Sequence, residues 1–239
     1  MRGRRAAWLA VALIASFTAA STMARDHGEQ AGRTHSRGFA NPSALIAAEL
    51  AVERLAKEKG QWLAFREAAA PGAMLANPQL QPAEPFLKGG AEPPVAMEWQ
   101  VHAVWSSCDG SYGVTRGAFH GPQGNGSFVT VWQRQEKNVG YRWLLRLERP
   151  LATAPAEPEM ISALVADCPQ PGADEPAAPS LPPPSGRDQP APAPPINPLD
   201  AASDDGTLSW SVGSGPDGLP QLVLKMKRQG EVRLMLDAY

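Results

Sequence analysis

The sequence has few of the residues that commonly bind metal ions, and it lacks the common cofactor-binding motifs. Its 239 residues include only 2 cysteines and 4 histidines. The cysteines are too far apart for zinc-ligand spacing, no His-Glu-x-x-His sequence occurs, and no glycine-rich loop follows a predicted strand. Ser106-Ser107 lies in a predicted hairpin and not in the strand-to-helix turn of a nucleophile elbow. We therefore predict no metal ion and no cofactor, and we assign no catalytic residue.

An excess of one charge and long apolar runs are also absent. The formal net charge is -2, so no global field attracts nucleic acid or an anionic membrane. Beyond the first 24 residues no segment is apolar over the roughly 20 residues that span a bilayer. We therefore expect neither a nucleic-acid partner nor a membrane span in the mature chain.

The first residues have the three parts of a secretory signal. Arginines at positions 2, 4 and 5 precede an apolar run from Ala6 to Phe17, and Thr22-Met23-Ala24 fits a small-x-small cleavage site. We predict a signal peptide over 1–24, a disordered leader over 25–40, and a periplasmic or secreted protein. Cleavage after Ala20 and an uncleaved membrane anchor are the alternatives.

Proline is abundant, with 25 residues, about a tenth of the chain and roughly twice the average frequency. Much of this excess lies in 150–206, which we interpret as a Pro-rich linker. One island, 159–167, has Met160, Ile161, Leu164 and Val165 at helical spacing and predicts a short helix. In residues 207–239 apolar and polar side chains alternate with the period of a strand, and we expect a C-terminal three-stranded meander packed on the main domain.

Residues 41–149 predict one α+β domain. Asn41-Pro42 suits a helix start and Gly60 suits a helix end, and a second short helix stops at Pro71. From Val95 the apolar period changes to two, and four strands follow in an antiparallel meander with one apolar face. We expect a curved antiparallel sheet wrapped on the N-terminal helices, in a cone-shaped, cystatin-like arrangement.

This order of elements over residues 42–149 resembles the nuclear-transport-factor-two-like superfamily, in its SnoaL-like and ketosteroid-isomerase-like branch, and a group of exported proteobacterial proteins. The stretches that carry the resemblance are Ala48-Glu49, Gly60-Gln61-Trp62, Phe65-Arg66-Glu67, Ala70-Pro71, Trp105-Ser106-Ser107-Cys108-Asp109-Gly110-Ser111 and Thr115-Arg116-Gly117. It implies a ligand between the sheet and the helices.

Because this superfamily includes isomerases, cyclases and hydratases beside proteins without known activity, the resemblance leaves the chemistry open. We expect a domain that binds a small apolar or acidic ligand or a partner. A SnoaL-like isomerase, cyclase or hydratase and a structural envelope protein with a filled core remain the alternatives. Among partners, a second copy in a homodimer is also left open.

The Asp109-Gly110 turn predicts a hairpin register. It places Ala103 opposite Arg116 and Trp99 opposite His120, with Trp99, Val101, Ala103 and Trp105 on the apolar face. Arg116 is then expected to point toward the helices, either paired with Glu49, Glu53 or Glu67 or binding a ligand carboxylate or phosphate.

The other candidate ligand-binding residues are aromatic side chains and one histidine. They could line a pocket or form an ordinary core, and His120 is placed near the mouth of the cone. Across the turn at 137–140, Thr130, Trp132, Trp143 and Leu145 are expected to lie together. The aromatic candidates are Trp62, Phe65, Trp99 and Trp132.

Cys108 and Cys168 are the two cysteines of a chain that is predicted to be exported to an oxidising compartment. A disulfide between them is therefore expected. It would fix the 159–167 island to the sheet. Two buried free thiols are the alternative.

Overall fold

The computed structural model describes residues 40–122, 124–135, 140–168 and 197–237, with only the backbone of Asp237. The predicted signal peptide, the leader up to residue 39 and the Pro-rich segment 169–196 lie outside these residues.

The fold is mixed α+β, with three helices and eleven strands in the described part of the chain. The helices are α1 (Pro42–Lys59), α2 (Gln61–Ala68) and α3 (Ala83–Gly89). The strands are β1 (Ala69–Ala76), β2 (Leu80–Pro82), β3 (Glu98–Ser106), β4 (Tyr112–Gly121), β5 (Gly124–Arg134), β6 (Tyr141–Leu151), β7 (Ser162–Val165), β8 (Asp200–Ala202), β9 (Leu208–Ser214), β10 (Pro220–Arg228) and β11 (Glu231–Asp237).

Capping residues set the bounds of the first two helices. The Asn41 side chain accepts a hydrogen bond from the backbone N–H of Ala44 at 3.2 Å, and Pro42 occupies the first turn. Gly60 takes φ 110°, which favours glycine, and separates α1 from α2. The Glu92 carboxylate, 30 positions away, accepts the backbone N–H of Trp62 at 2.7 Å and so caps α2.

Two sheets build the molecule. A seven-stranded sheet has the order β2-β1-β6-β5-β4-β3-β7, and a four-stranded sheet has the order β11-β10-β9-β8. The β3–β6 meander is antiparallel as predicted, while β1 pairs with β6 and β7 pairs with β3 in parallel. The C-terminal meander β9–β11 has the three predicted strands and gains β8 at its edge.

The large sheet is covered on both faces, so the chain has two apolar cores. The helix-side core lies between the large sheet and the helices and includes Leu45, Phe65, Trp99, Phe128, Trp132 and Trp143. The inter-sheet core lies between the two sheets and includes Trp105, Val114, Val131, Leu147, Trp210 and Leu224.

The prediction of a helix over 159–167 is wrong. Residues Ser162–Val165 form β7, which pairs in parallel with β3, and Leu164 packs partly buried against the inter-sheet core. Spacing alone cannot distinguish a short apolar helix from a short strand, and a free sheet edge stabilises the strand through backbone hydrogen bonds.

A bulge in β3 changes which side chains share a face. The extra residue is His102, between the paired positions Val101 and Ala103. Trp99 and Val101 lie in the helix-side core, whereas Ala103 and Trp105 contact the inter-sheet core. The expectation that these four side chains share a face is wrong because one extra residue moves every later side chain to the other face.

A second bulge lies in β6, where Leu144 is the extra residue. Trp143 faces the helix-side core and Leu145 faces the inter-sheet core, so the prediction that these two lie together is wrong. Arg146, which follows, points back toward the helices, where it contacts Phe65 of α2.

Two turns of one sequence type hold the sheets together. Ser107–Ser111 and Ser203–Thr207 both read Ser-x-Asp-Gly-Ser/Thr. The backbone N–H of Asp109 donates to Asp205 Oδ2 at 2.9 Å, and that of Asp205 donates to Asp109 Oδ2 at 3.1 Å. We call this reciprocal pair the turn clasp.

The predicted disulfide is confirmed: Cys108 and Cys168 are bonded, with their Cα atoms 5.1 Å apart. Cys108 lies inside the turn clasp, where its backbone N–H donates to Thr207 Oγ1 at 3.0 Å. Cys168 follows β7, so the bond fixes that edge strand beside the clasp.

Candidate functional site

The helix-side core contains three buried charges. Glu49 lies on the core-facing side of α1, and Arg146 and Glu148 are next-but-one neighbours on β6. Their exposed fractions are 1%, 2% and 4%. Arg146 Nε donates to Glu148 Oε1 at 2.8 Å, and Arg146 Nη1 lies 3.5 Å from Glu49 Oε2. We call these residues the buried charge triad.

Neutral donors satisfy both oxygens of Glu49. Thr115 Oγ1 donates to Glu49 Oε1 at 2.6 Å, and Trp132 Nε1 is shared between that oxygen and the Thr115 hydroxyl, at 3.2 and 3.0 Å. Trp99 Nε1 donates to Glu49 Oε2 at 3.0 Å. The two indoles therefore act here as hydrogen-bond donors to a structural carboxylate.

The Arg146 guanidinium lies among aromatic rings. Its Cζ is 4.4 Å from the ring centre of Phe128, 4.8 Å from that of Phe65 and 5.2 Å from that of Trp99. Nη1 donates to Thr130 Oγ1 at 2.9 Å, while Nη2 has no hydrogen-bond acceptor among the described residues. The electron-rich ring faces supply the electrostatic partner that Nη2 lacks.

The buried charge triad is closed to solvent and its carboxylate oxygens are occupied by protein donors. The remaining Glu148 oxygen, Oε2, accepts from Asn77 Nδ2 at 3.2 Å. Buried carboxylates within the cone are a feature that acid–base catalysis would need. Because donors from the four strands β3 to β6 and from Asn77 after β1 bind these carboxylates, the arrangement instead favours a structural role, which is the usual one for paired buried charges.

The aromatic candidates lie together as packing residues. Trp62, Phe65, Trp99 and Trp132 belong to the helix-side core. Phe65 contacts Trp62, Trp99 and Trp143 edge-to-face, with ring centres 5.6–6.4 Å apart. These four side chains therefore pack against one another between the sheet and the helices, the region where the resemblance implied a ligand.

Arg116 and His120 do not lie in the helix-side core. Arg116 pairs with Ala103 as predicted, but the bulge places both on the face away from the helices, so the predicted orientation of Arg116 is wrong. Burial and the nearby Arg116 charge lower the pKa of His102, the bulge residue. His120 pairs with Glu98 and not with Trp99, and its exposed imidazole lies 3.2 Å from the Glu98 carboxylate.

An open cleft lies outside this core, where α2 and α3 meet β1. Its volume is about 420 Å³ and its walls are largely alanine and proline. Pro71 and Gly72 line it where β1 loses its pairing with β6, between Ala69 and Met74. A local break in the strand pairing therefore shapes this cleft.

Two guanidinium groups line this cleft, which we call the arginine cleft. Arg66 Nη1 donates to the carbonyl of Leu87 at 3.3 Å, and Arg142 Nη1 donates to the carbonyls of Glu67 and Ala69 at 2.8 and 3.0 Å. These neutral acceptors orient the guanidinium groups without cancelling their charge.

The acidic side chain of the arginine cleft is already paired. Glu84 accepts from Lys88 Nζ at 2.5 Å, which lowers the pKa of Glu84. Among the described residues neither Arg66 nor Arg142 has a carboxylate partner. Neither arginine of this cleft is among the candidates predicted from the sequence, where the one arginine is Arg116. Arg66 lies within Phe65-Arg66-Glu67, one of the stretches that carry the resemblance.

No group of three or more histidine, cysteine, aspartate or glutamate side chains within the described ranges is arranged to hold a metal ion. Over the same ranges, no helix combines the length and the apolar character needed to cross a bilayer.

No family model and no curated protein matches the chain. Among solved structures it is similar to an NTF-2-like protein of unknown function from Shewanella oneidensis MR-1, with 10% identity and a TM-score of 0.35 over 44% of this chain and 96% of that chain. It is also similar to a candidate Ca/calmodulin-dependent kinase II association domain from Exiguobacterium sibiricum 255-15, with 16% identity and a TM-score of 0.32 over 46% and 95% of the two chains.

Proposed function

We propose that this protein is an exported binding domain that takes a small organic acid with an apolar body in the arginine cleft. The observation that carries the proposal is the pair of guanidinium groups, Arg66 and Arg142, without a carboxylate partner in the described chain. A partly apolar cleft with a few convergent polar groups is the usual form of a small-molecule site.

The chemistry of the lining selects the class of ligand. Each guanidinium uses one nitrogen on backbone carbonyls, which leaves further N–H groups for a planar acid. Pro71, Ala73 and Leu87 offer apolar contact beside these charges. A carboxylate attached to a compact hydrocarbon or aromatic body fits both features.

Export is part of the proposal. The disulfide between Cys108 and Cys168 supports an oxidising compartment, and the leader over 1–24 has the form of a signal peptide. The protein purified from the periplasmic fraction is expected to begin near Arg25. Its intact mass shows at which residue the leader has been removed. A product that retains Met1 contradicts export by cleavage.

We also infer that residues 42–149 are nuclear-transport-factor-two-like. The phrases that carry the resemblance support this inference, and so does the order of two helices, a short strand pair, a helical turn and a long meander. A structural envelope role is the second candidate, and the filled helix-side core favours it. An isomerase, cyclase or hydratase has less support because the buried carboxylates are bonded to protein donors.

Binding of phenylacetate, compared with neutral phenylacetamide, tests the main proposal by calorimetry. We expect the acid to bind more tightly than the amide. Arg66→Met is expected to raise the Kd of the acid by about 10–100-fold, which corresponds to the loss of a charge-assisted hydrogen bond. Arg54→Met is the matched control, because Arg54 is exposed on α1 and does not line the cleft.

The comparison has clear contrary outcomes. Equal affinity for acid and amide would remove the arginines from the recognition. Equal weakening by Arg54→Met would show a nonspecific charge effect. No binding across a wider panel of aliphatic and aromatic acids would favour the structural role instead.

A further inference from the structure

A stretch of β1 inside the arginine cleft has an open backbone. The pairing of β1 with β6 breaks after Ala69 and resumes at Met74, so the four residues between them have no partner in that strand. On the other side of β1, the pairing with β2 begins only at Met74. Residues 70–73 therefore have no register partner among the described strands, and all four line the cleft.

The middle of this stretch can be reached from solvent. Pro71 and Gly72 are exposed, and a Cβ at Gly72 would meet no atom of the described chain within 4 Å. A ligand in the cleft can therefore approach the N–H of Gly72 and the C=O groups of both residues. Open backbone groups of an extended segment are the usual partners of an added peptide group.

One amide side chain of the cleft also has an unused acceptor. Gln135 is half-buried and lines the cleft, and its Nε2 donates to the carbonyl of Gln133 at 3.3 Å. Because only the NH2 group can face that carbonyl, the direction of the amide is fixed and Oε1 points away from it. Among the described residues no group donates to this Oε1. A ligand N–H is the partner that it can accept.

Backbone pairing brings these groups to one cleft. Arg142 Nη1 donates to the carbonyl of Ala69 at 3.0 Å, directly before the open stretch. Gln133, whose carbonyl orients Gln135, is paired with Arg142 across the β5–β6 hairpin. A guanidinium, an amide oxygen and an open backbone therefore surround a volume of about 420 Å³, which is in the usual range for a small-molecule site.

We propose that the arginine cleft recognises an acylated α-amino acid, the group found at the C-terminus of a peptide and in free N-acyl amino acids. This inference rests on the proposed function and narrows its class of ligand. The α-carboxylate would bind Arg66 and Arg142. The amide N–H would donate to Gln135 Oε1, and the acyl C=O would accept the N–H of Gly72. The side chain of the amino acid would contact Leu87.

The open polar groups favour this ligand over a plain hydrocarbon acid. An apolar body that covers Gln135 and Gly72 would remove water from an amide oxygen and a backbone N–H without replacing their hydrogen bonds, which is costly. A peptide amide replaces both bonds, one with its N–H and one with its C=O. An acylated amino acid therefore satisfies the carboxylate-binding and the amide-binding groups together.

Calorimetry with three related acids and the full chain tests the inference. N-acetyl-phenylalanine carries the amide, 3-phenylpropionate lacks it, and the ester 2-acetoxy-3-phenylpropionate has oxygen in place of the amide N–H. We expect the Kd of N-acetyl-phenylalanine to be about tenfold or more below that of 3-phenylpropionate, and about three- to tenfold below that of the ester. Arg66→Met is expected to weaken all three, because each has the carboxylate.

The variant Gln135→Leu isolates the amide contact. It is expected to remove the difference in Kd between the amide and the ester and to leave the Kd of 3-phenylpropionate nearly unchanged, a pattern that a general loss of structure would not produce. Gln79→Leu is the matched control, because Gln79 is exposed and does not line the cleft. This control is expected to leave all the Kd values unchanged.

A longer ligand distinguishes the two sources of the group. If an acetylated tripeptide that ends in phenylalanine binds as tightly as N-acetyl-phenylalanine, the cleft accepts peptide C-termini, whereas much weaker binding of the tripeptide assigns it to free N-acyl amino acids. The inference alone is overturned if 3-phenylpropionate binds through Arg66 but N-acetyl-phenylalanine binds no tighter, or if Gln135→Leu keeps the difference between amide and ester. Binding of none of these acids would overturn the proposed function as well.

Discussion

Replacing Arg146 by methionine is expected to destabilise the protein strongly. Arg146→Met keeps the length and the apolar contacts of the side chain but removes the only cation of the buried charge triad. Glu148 would keep one hydrogen bond, from Asn77, and Glu49 would keep only neutral donors. Two carboxylates would then be buried without a positive charge.

The magnitude follows from the cost of leaving a buried charge uncompensated. Removing one partner of a buried ion pair typically lowers the free energy of unfolding by about 3–5 kcal/mol. For a chain of this size that loss lowers Tm by roughly 6–20 °C, since 1 kcal/mol corresponds to about 2–4 °C. The contacts of the guanidinium with three aromatic rings place Arg146 toward the upper part of this range.

Urea unfolding followed by tryptophan fluorescence measures the effect, because Trp99 and Trp132 lie beside the triad. Arg54→Met is the control at an exposed arginine, and its free energy of unfolding is expected to stay within about 0.5 kcal/mol of that of the parent protein. A change of less than about 1 kcal/mol in Arg146→Met would refute the view that the cation stabilises the carboxylates.

A triple variant separates charge compensation from packing. Arg146→Met combined with Glu49→Gln and Glu148→Gln removes all three charges and retains similar volumes. It is expected to recover part of the stability lost in the single variant, because replacing a whole buried ionic group often costs little. A triple variant less stable than Arg146→Met alone would show that packing, or the amide NH2 that Glu49→Gln sets against a protein donor, outweighs charge compensation.

Further changes test the framework of the fold. Cys168→Ser opens the bond to Cys108, which spans a sequence separation of 60, and is expected to cost roughly 4 kcal/mol in urea unfolding, less any strain. Burial raises the pKa of Asp205, but hydrogen bonds from Ser203, from Thr207 and from the backbone of Asp109 outweigh it and lower the pKa below its usual value. The resulting stability is present above the usual pKa of 3.8 and is lost as pH falls through the folded value; Asp205→Asn should flatten this acid-dependent loss of Tm. In Gly117→Ala a Cβ would meet a backbone oxygen at 1.8 Å, so we expect the free energy of unfolding to fall by about 2 kcal/mol or more. Gly213→Ala is the control, because a Cβ there meets no atom within 4 Å. Equal losses in the two variants would contradict the close approach at Gly117.

Local signals predicted the helices and the meander. The Asn41-Pro42 cap, the Gly60 break and the Asp109-Gly110 turn act over a few residues, and each appears where the sequence indicated it. The Ala103–Arg116 pairing also follows from the turn. These features are predictable because short-range hydrogen bonds and backbone preferences determine them.

The positions of the charges were not predictable in the same way. Strict alternation placed Arg116 among the helices and gave no role to Arg146. Extra residues at His102 and Leu144 reversed the faces of their strands beyond each bulge. A bulge depends on how two strands fit over a curved core, so a single strand's sequence carries little sign of it.

The turn clasp was visible as a repeat. Ser107-Cys108-Asp109-Gly110-Ser111 and Ser203-Asp204-Asp205-Gly206-Thr207 share four positions of one pattern, yet only the first was interpreted as a hairpin turn. Their reciprocal hydrogen bonds require that both turns meet, which depends on the packing of two sheets. The similarity of the two segments therefore gives no sign that they bind each other.

The packing of the helix-side core opposes ligand binding between the helices and the large sheet. The buried charge triad needs donors from α1 and from several strands at once, so opening that space for a ligand would break ion pairs and indole hydrogen bonds together. That cost opposes binding between the helices and the sheet. The arginine cleft carries no such penalty, because its guanidinium groups are already oriented by neutral carbonyls and remain partly exposed. Under the proposed function, an acid bound there would add charge compensation without disturbing either core.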